Sequence, residues 1–77
     1  MRFYTYMMRN YKTADGAKGD FARKMREDKE RFPMNRPCKF AGWHDLTRDY
    51  LIRHNASEET LATFEECWAE YVAYVKK

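Results

Sequence analysis

Branched aliphatic residues are scarce in this sequence, which has three leucines, one isoleucine and two valines among its 77 residues. The shortage of β-branched residues, together with the lack of any alternation between apolar and polar residues, argues against β-strands. No run of about 18 apolar residues is present that could span a bilayer. The first residues also lack the apolar segment of a signal peptide. The length of 77 residues predicts a single small domain over residues 1–77, and these absences predict that it is cytoplasmic and has no membrane partner.

Groups of residues that support chemistry are also missing. The two cysteines lie 29 positions apart, and we expect both to be free thiols in a reducing compartment. Cys38, His44, His54 and Cys67 contain no closely spaced pair of the kind that metal sites use. No glycine-rich phosphate loop joins a strand to a helix. We therefore expect no enzyme activity, no cofactor, no metal and no small-molecule substrate.

Aromatic residues and methionine are plentiful: the chain has two tryptophans, six tyrosines, five phenylalanines and five methionines. Each aromatic side chain can bury about 150–250 Å², so a few of them can replace the missing aliphatic volume. Stacking of nucleic-acid bases is the alternative use for so many rings, but the core interpretation is favoured. The rings expected to meet in the core are Phe3, Phe21, Trp43, Phe64 and Trp68. The tyrosines that fall off the apolar stripes, and are expected to face a partner, are Tyr4, Tyr11 and Tyr74.

Helical periodicity predicts four helices. The first covers about 2–11 and is followed by a loop over 13–19. The second begins after an N-cap at Asp20 and stops before Pro33, because a residue that precedes proline is disfavoured in the α region. An irregular connector, with one short turn as an option, covers 33–42 and contains Pro37. The third helix covers about 43–54 and presents Trp43, Leu46, Tyr50, Leu51 and His54.

The fourth helix has the strongest signals. Ser57 is a good N-cap, and the acids that follow it suit the positive end of the helix dipole. An apolar stripe with helical spacing consists of Leu61, Phe64, Trp68, Tyr71, Val72 and Val75, and Lys76 and Lys77 suit the C-terminal end. Before this helix, Asp49 and Arg53 are spaced for an ion pair, and Asn55 suits a left-handed C′ position. Because the lengths are unequal, we expect an all-α, compact orthogonal bundle of four helices.

Two segments resemble a known family. The first is Phe3-Tyr4-Thr5-Tyr6-Met7-Met8 with the later Phe32-Pro33, and the second is Tyr50-Leu51 followed by residues 63–71, Thr-Phe-Glu-Glu-Cys-Trp-Ala-Glu-Tyr. Both resemble the YozE-like family of small bacterial proteins. The resemblance implies a SAM-like fold, similar to sterile alpha motif domains, and a cytoplasmic bacterial setting. It implies no functional residues, because no biochemical role is established for the family.

Positive charge is concentrated in the N-terminal half. Residues 1–19 carry a net charge of +3 and residues 32–41 carry +2, whereas residues 42–77 carry −3. One interpretation is a phosphate-contacting patch for nucleic acid. A second is contact with a protein partner or a second copy, and a third is an ordinary mixed-charge surface. Nucleic acid is the first hypothesis, because the connectors, where binding residues tend to collect, carry the excess positive charge. The candidate binding residues are Arg9, Lys12, Lys18, Arg36 and Lys39.

Overall fold

Four helices account for most of the chain in the computed structural model, which describes residues 1–36 and 38–76. They are α1 (Phe3–Tyr11), α2 (Gly16–Glu27), α3 (Phe40–Arg53) and α4 (Glu58–Val75). No strand occurs within the described residues, so the expected all-α class is confirmed. The predictions made for Pro37 and Lys77 lie outside the described residues.

The ends of α4 and α3 follow the sequence signals. The Ser57 hydroxyl accepts a hydrogen bond from the backbone N–H of Thr60, as an N-cap does. Asn55 adopts a left-handed conformation with φ 60°, and Arg53 pairs with Asp49 at 3.0 Å. Local signals are therefore sufficient to define this part of the chain.

The predicted start of α2 is wrong. Asp20 lies inside the helix, and Asp15 occupies the N-cap position, so residues 16–19 of the expected loop are helical. Gly19 packs so closely against the backbone carbonyl of Ala14 that the loop before α2 closes directly onto the helix. This close approach between residues five positions apart is a local contact that periodicity does not reveal.

α3 also differs from the prediction, both in its start and in its buried face. It begins at Phe40, whose ring packs against Tyr71 with 5.9 Å between the ring centroids. Thr47 is buried, whereas Leu46 is 51% exposed. The Thr47 hydroxyl donates to the carbonyl of Trp43 within the same helix. A buried threonine whose hydroxyl is satisfied can therefore take the inner position that was assigned to leucine.

The core is built from aromatic rings, as expected, but with one different member. The Phe3 ring contacts those of Phe21, Phe64, Trp68 and Tyr71, with centroids 5.0–6.5 Å apart. Trp43 is only half-buried and packs at the edge of this cluster. Tyr71, which is fully buried, takes the central place that was predicted for Trp43.

One further aromatic side chain differs from expectation, and one joins the packing. Tyr4 is buried against Phe32 instead of facing a partner. His44 stacks on the Phe64 ring with centroids 5.3 Å apart. Both side chains are therefore part of the packing of the helices.

Within the described residues, no helix combines the length and apolar character needed to cross a membrane.

Candidate functional site

The later part of the connector between α2 and α3 is hydrogen-bonded to the rest of the molecule through a buried side chain, Asn35. Its amide oxygen accepts a hydrogen bond of 2.8 Å from the backbone N–H of Phe3. Its amide nitrogen donates to the Tyr71 hydroxyl at 2.8 Å. The Tyr71 hydroxyl in turn donates to the carbonyl of Met1 at 2.6 Å. The connector and the start of the chain therefore both meet α4 near its C-terminal end.

This anchoring positions Arg36 and Lys39. Arg36 follows Asn35 directly, and Lys39 precedes Phe40, whose ring rests on Tyr71. Both basic residues are exposed. Neither forms an ion pair with a described carboxylate. Because their neighbours are fixed while they project into water, both remain able to meet an anion.

Arg9 reaches the same end of α4 from α1. Met1, Arg9, Asn10 and Tyr74 line one shallow depression. Tyr74 is 49% exposed, and its ring packs against that of Tyr6 at 5.6 Å. Of the three tyrosines expected to face a partner, Tyr74 is the one whose ring is largely accessible.

Lys76 adds a cation that sequence analysis did not assign to the site. Its Nζ lies 5.6 Å from the centroid of the Phe40 ring, within the range of a cation–π contact. Five residues thus gather around the last turns of α4, and we call them the α4-end surface. They are Arg9, Arg36, Lys39, Tyr74 and Lys76.

Lys18 is held elsewhere, in a group of side chains further back along α4. Its Nζ lies 2.5 Å from a carboxylate oxygen of Glu70 and 3.9 Å from one of Glu66. Tyr11 donates a second hydrogen bond to Glu70. Lys18, Tyr11 and Glu70 thus join α2, α1 and α4. Because Glu70 already neutralises the charge of Lys18, Lys18 is not part of the α4-end surface.

The contacts of Glu70 with Lys18 and Tyr11 shift the pKa values of these side chains, among them those of Glu70 and Tyr11. Burial alone would raise the pKa of Glu70, but hydrogen bonds from Lys18 and Tyr11 outweigh it and hold the pKa below the usual 4.5. The hydrogen bond to Glu70, aided by burial, raises the pKa of Tyr11 to about 12. The carboxylate is therefore ionised and the phenol protonated at neutral pH, which is the arrangement of a structural contact.

Lys12, the remaining candidate, lies just after α1. Its side chain is exposed, and its backbone carbonyl accepts a hydrogen bond from Arg23. This contact ties the end of α1 to α2, and no contact among the described residues places Lys12 on the α4-end surface.

Neither cysteine forms part of a reactive group. Cys38 is exposed and Cys67 is buried, and both are free thiols. Burial of Cys67 raises the pKa of its thiol to about 11, so that it stays protonated at neutral pH. Among the described residues, no three histidine, cysteine or acidic side chains come together as metal ligands.

Sequence reasoning missed Asn35, Glu70 and Lys76. Asn35 is a polar residue in an irregular segment and carries no local signal of burial. Glu70 lies within the acidic half of the chain, where solvation is the default interpretation. Lys76 was assigned to the helix dipole alone. For each of these residues, the contacts that matter are with residues distant in sequence, which a local pattern does not reveal. Lys76 and Phe40, for example, are 36 positions apart.

Comparison with known proteins gives one match. The family model described as YozE SAM-like fold matches residues 2–73. No curated protein and no solved structure matches the chain. The matched range extends from the start of α1 to within the last turn of α4, and so it includes most of the architecture described above.

Proposed function

The chain belongs to the YozE SAM-like family. From this membership and the geometry above, we propose that it is a non-enzymatic module. We propose that it binds the phosphate backbone of nucleic acid through the α4-end surface. One observation carries the proposal: the exposed ring of Tyr74 lines one depression with the basic residue Arg9. This depression lies at the end of α4 that Asn35 and Phe40 contact through Tyr71. Nonspecific single-strand binding proteins combine such aromatic platforms with cations that track the backbone. We also propose a cytoplasmic location, because both cysteines are free.

Charge favours an anionic ligand at this surface. The C-terminal end of a helix carries about half a negative charge. Four full positive charges, on Arg9, Arg36, Lys39 and Lys76, outweigh it. The acids in the middle of α4 are engaged elsewhere, since Glu65 contacts His44 and Glu70 contacts Lys18. A phosphate approaching the α4-end surface therefore meets a net positive potential.

The experiment measures binding of a fluorescent 20-nucleotide single strand by anisotropy over a series of salt concentrations. The double variant Arg36→Glu/Lys39→Glu is expected to weaken binding and to reduce the slope of log K against log[salt] by about 1.4, that is about 0.7 for each lost phosphate contact. Tyr74→Ala is expected to weaken binding about tenfold or more through lost base stacking.

The matched control is Arg26→Glu/Lys29→Glu, which changes net charge equally at exposed positions on and just after α2. It is expected to retain most of the affinity. Equal losses from the two double variants would show that overall charge, not the α4-end surface, governs binding. If the unmodified protein binds no DNA or RNA below about 100 mM salt, the proposal is wrong.

Protein contact is a second candidate function, and exposed apolar side chains on α3 favour it. Leu46 is 51% exposed and Ile52 is 47% exposed. Light scattering over a range of concentrations would reveal self-association, and Leu46→Glu is expected to reduce it. A monomer at every concentration would exclude self-association and leave only contact with a different protein.

A further inference from the structure

α3 is bounded at both ends by residues in the left-handed conformation. Lys39, directly before the helix, has φ 52°, and Asn55, two residues after its end at Arg53, has φ 60°. Within the described part of the chain, they are the only residues other than glycine with a positive φ. Hinges in proteins are a few residues at the ends of elements that absorb changes in backbone conformation. Lys39 and Asn55 are therefore placed as a pair of hinges around α3.

α3 is also the helix that the others need least. Among the described residues, its backbone comes close to that of α4 and to no other helix, whereas α1, α2 and α4 all pack on one another. Two of its 14 residues are buried, Thr47 and Leu51. The shorter α1 buries four of its nine residues. α1, α2 and α4 would therefore keep their contacts with one another if α3 moved away.

The closed position of α3 carries costs that opening relieves. The Tyr50 hydroxyl oxygen is buried and has no hydrogen-bond partner among the described residues, and a buried polar group without a partner is destabilising. Leu46 and Ile52 stay about half exposed, so closure buries little of their apolar area. Gly42 lies in the helix interior, where glycine is less favourable than alanine. Each feature lowers the free energy needed to open α3.

A small set of side chains holds α3 closed. His44 stacks on Phe64, and its Nε2 lies 2.6 Å from a carboxylate oxygen of Glu65. Phe40 packs on Tyr71 with 5.9 Å between the ring centroids. These contacts join the first half of α3 to α4, and they are the ones that opening breaks.

We propose that α3 is a lid, which opens as a unit about Lys39 and Asn55 while α1, α2 and α4 stay folded. An isolated helix of about 14 residues is marginal in water, so α3 also loses its helical hydrogen bonds when it detaches. Opening returns the Tyr50 hydroxyl to water and uncovers the rings of Phe64 and Trp68, on which His44 packs when the lid is closed. The lid does not depend on the proposed binding of nucleic acid.

The test is native-state hydrogen exchange of the full chain, followed by NMR at several low urea concentrations. After correction for intrinsic rates, we expect the amides of Thr47 and Leu51 to exchange at least about tenfold faster than those of Phe64 and Trp68. Their exchange should also depend less steeply on urea, because opening one helix exposes less surface than global unfolding. The same rate and the same urea dependence for α3 and α4 would overturn the proposal.

Gly19→Ala and Gly42→Ala are matched variants outside and inside the lid. Gly19→Ala overpacks the start of α2, so it should speed exchange in α4 about fivefold or more and leave exchange in α3 unchanged. Gly42→Ala should slow exchange in both helices about twofold, because α3 unfolds in both processes.

An increase in α3 exchange that equals the increase in α4 for Gly19→Ala would show that α3 opens only in global unfolding, and the proposal would be wrong. If this variant does not fold, the urea dependence of the unmodified protein decides the question. Tyr50→Phe removes the buried hydroxyl and should slow exchange in α3 about fivefold. Faster exchange in Tyr50→Phe would overturn the part assigned to that hydroxyl.

Discussion

Asn35 links the connector, α1 and α4 through one side-chain amide that is 1% exposed. It acts as a tertiary cap for α1, because it accepts a hydrogen bond from the Phe3 N–H at a helix end whose preceding residue, Arg2, provides no side-chain cap. Its amide nitrogen also donates to Tyr71. Three groups lose a partner if this amide is removed, counting the Arg36 carbonyl.

Asn35→Ala is therefore expected to lower the free energy of unfolding by about 2–4 kcal/mol, because buried polar groups are left unsatisfied. Urea denaturation followed by circular dichroism measures the change. Asn10→Ala is the control, since exposed Asn10 makes a single hydrogen bond to the Tyr6 carbonyl. A loss from Asn35→Ala no larger than that from the control would contradict the role of Asn35.

At the scale of the elements, α2 and α3 contain a matched pair of glycines. A Cβ at Gly19 in α2 would lie 1.8 Å from the backbone oxygen of Ala14, whereas a Cβ at Gly42 in α3 would have no neighbour within 4 Å. Gly42→Ala should raise the free energy of unfolding by about 0.5 kcal/mol, because alanine favours helix. Gly19→Ala should lower it by about 1–3 kcal/mol through overpacking. Thermal or urea denaturation measures both changes in the free energy of unfolding. Changes of the same sign for Gly42→Ala and Gly19→Ala would contradict the close packing at Gly19.

His44 joins α3 to α4 by stacking on Phe64 and by bonding to Glu65 through Nε2 at 2.6 Å. Burial alone would lower the pKa of His44, but the hydrogen bonds to Asp45 and Glu65 and the charges of these two acids outweigh it, so that the pKa lies above the usual 6.5. A raised pKa in the folded state means that protonation stabilises the protein.

The contribution of His44 should be complete below about pH 6.5 and lost as pH rises through the folded-state pKa. Urea denaturation between pH 5.5 and 8.5 should show a fall in the stability of the wild-type protein relative to His44→Gln, which cannot titrate at this position. Glu65→Gln should reduce this loss of stability with rising pH, because it removes one of the two acids that raise the pKa of His44. Parallel curves for the wild type and His44→Gln would show that the contact between helices does not depend on protonation.

The four elements differ in how far the sequence determines them. α4 could be predicted at both its start and its buried face, because a cap, first-turn acids and a regular stripe agree. The start of α2 could not, because Asp15 and Asp20 are both of a residue type that favours the N-cap, and Asp15 takes the position without a side-chain cap hydrogen bond. In α3, Thr47 is buried and Leu46 is exposed, so hydrophobicity alone does not predict which face of this helix is buried.

At the scale of the whole molecule, Glu70 connects three helices through Tyr6, Tyr11 and Lys18. Glu70→Gln is expected to lower the free energy of unfolding by about 1–2 kcal/mol at pH 7, a value reduced for partial exposure of the carboxylate. Because the pKa of Glu70 is lowered in the folded state, its contribution is present above about pH 4.5 and lost at lower pH.

Urea denaturation at pH 7 and pH 3 checks this prediction. The wild-type protein and Glu70→Gln should have nearly equal free energies of unfolding at pH 3. Glu66→Gln is the control, because the Glu66 carboxylate lies 3.9 Å from Lys18 and is 68% exposed. A Glu70→Gln loss that stays constant between the two pH values would show that the ionised carboxylate is not the stabilising group.

The candidate binding surface could be predicted only in part. The sequence shows that positive charge is concentrated in the N-terminal half, and Arg9, Arg36 and Lys39 belong to that half. It does not show that Arg9 lies beside Tyr74 or that Lys76 contacts Phe40, because those contacts depend on how α1 and the connector pack against α4. The sequence also does not show that Lys18 pairs with Glu70, because those residues are 52 positions apart and meet only through helix packing.

The hydrogen bond from Tyr71 to the Met1 carbonyl has a consequence for biosynthesis. The Met1 carbonyl acquires this partner only after position 71 has left the ribosome. Until then the Phe3 ring lacks its contacts with Phe64, Trp68 and Tyr71. A nascent polypeptide halted before α4 thus exposes these rings to chaperones and proteases, and productive folding waits for synthesis of the last helix.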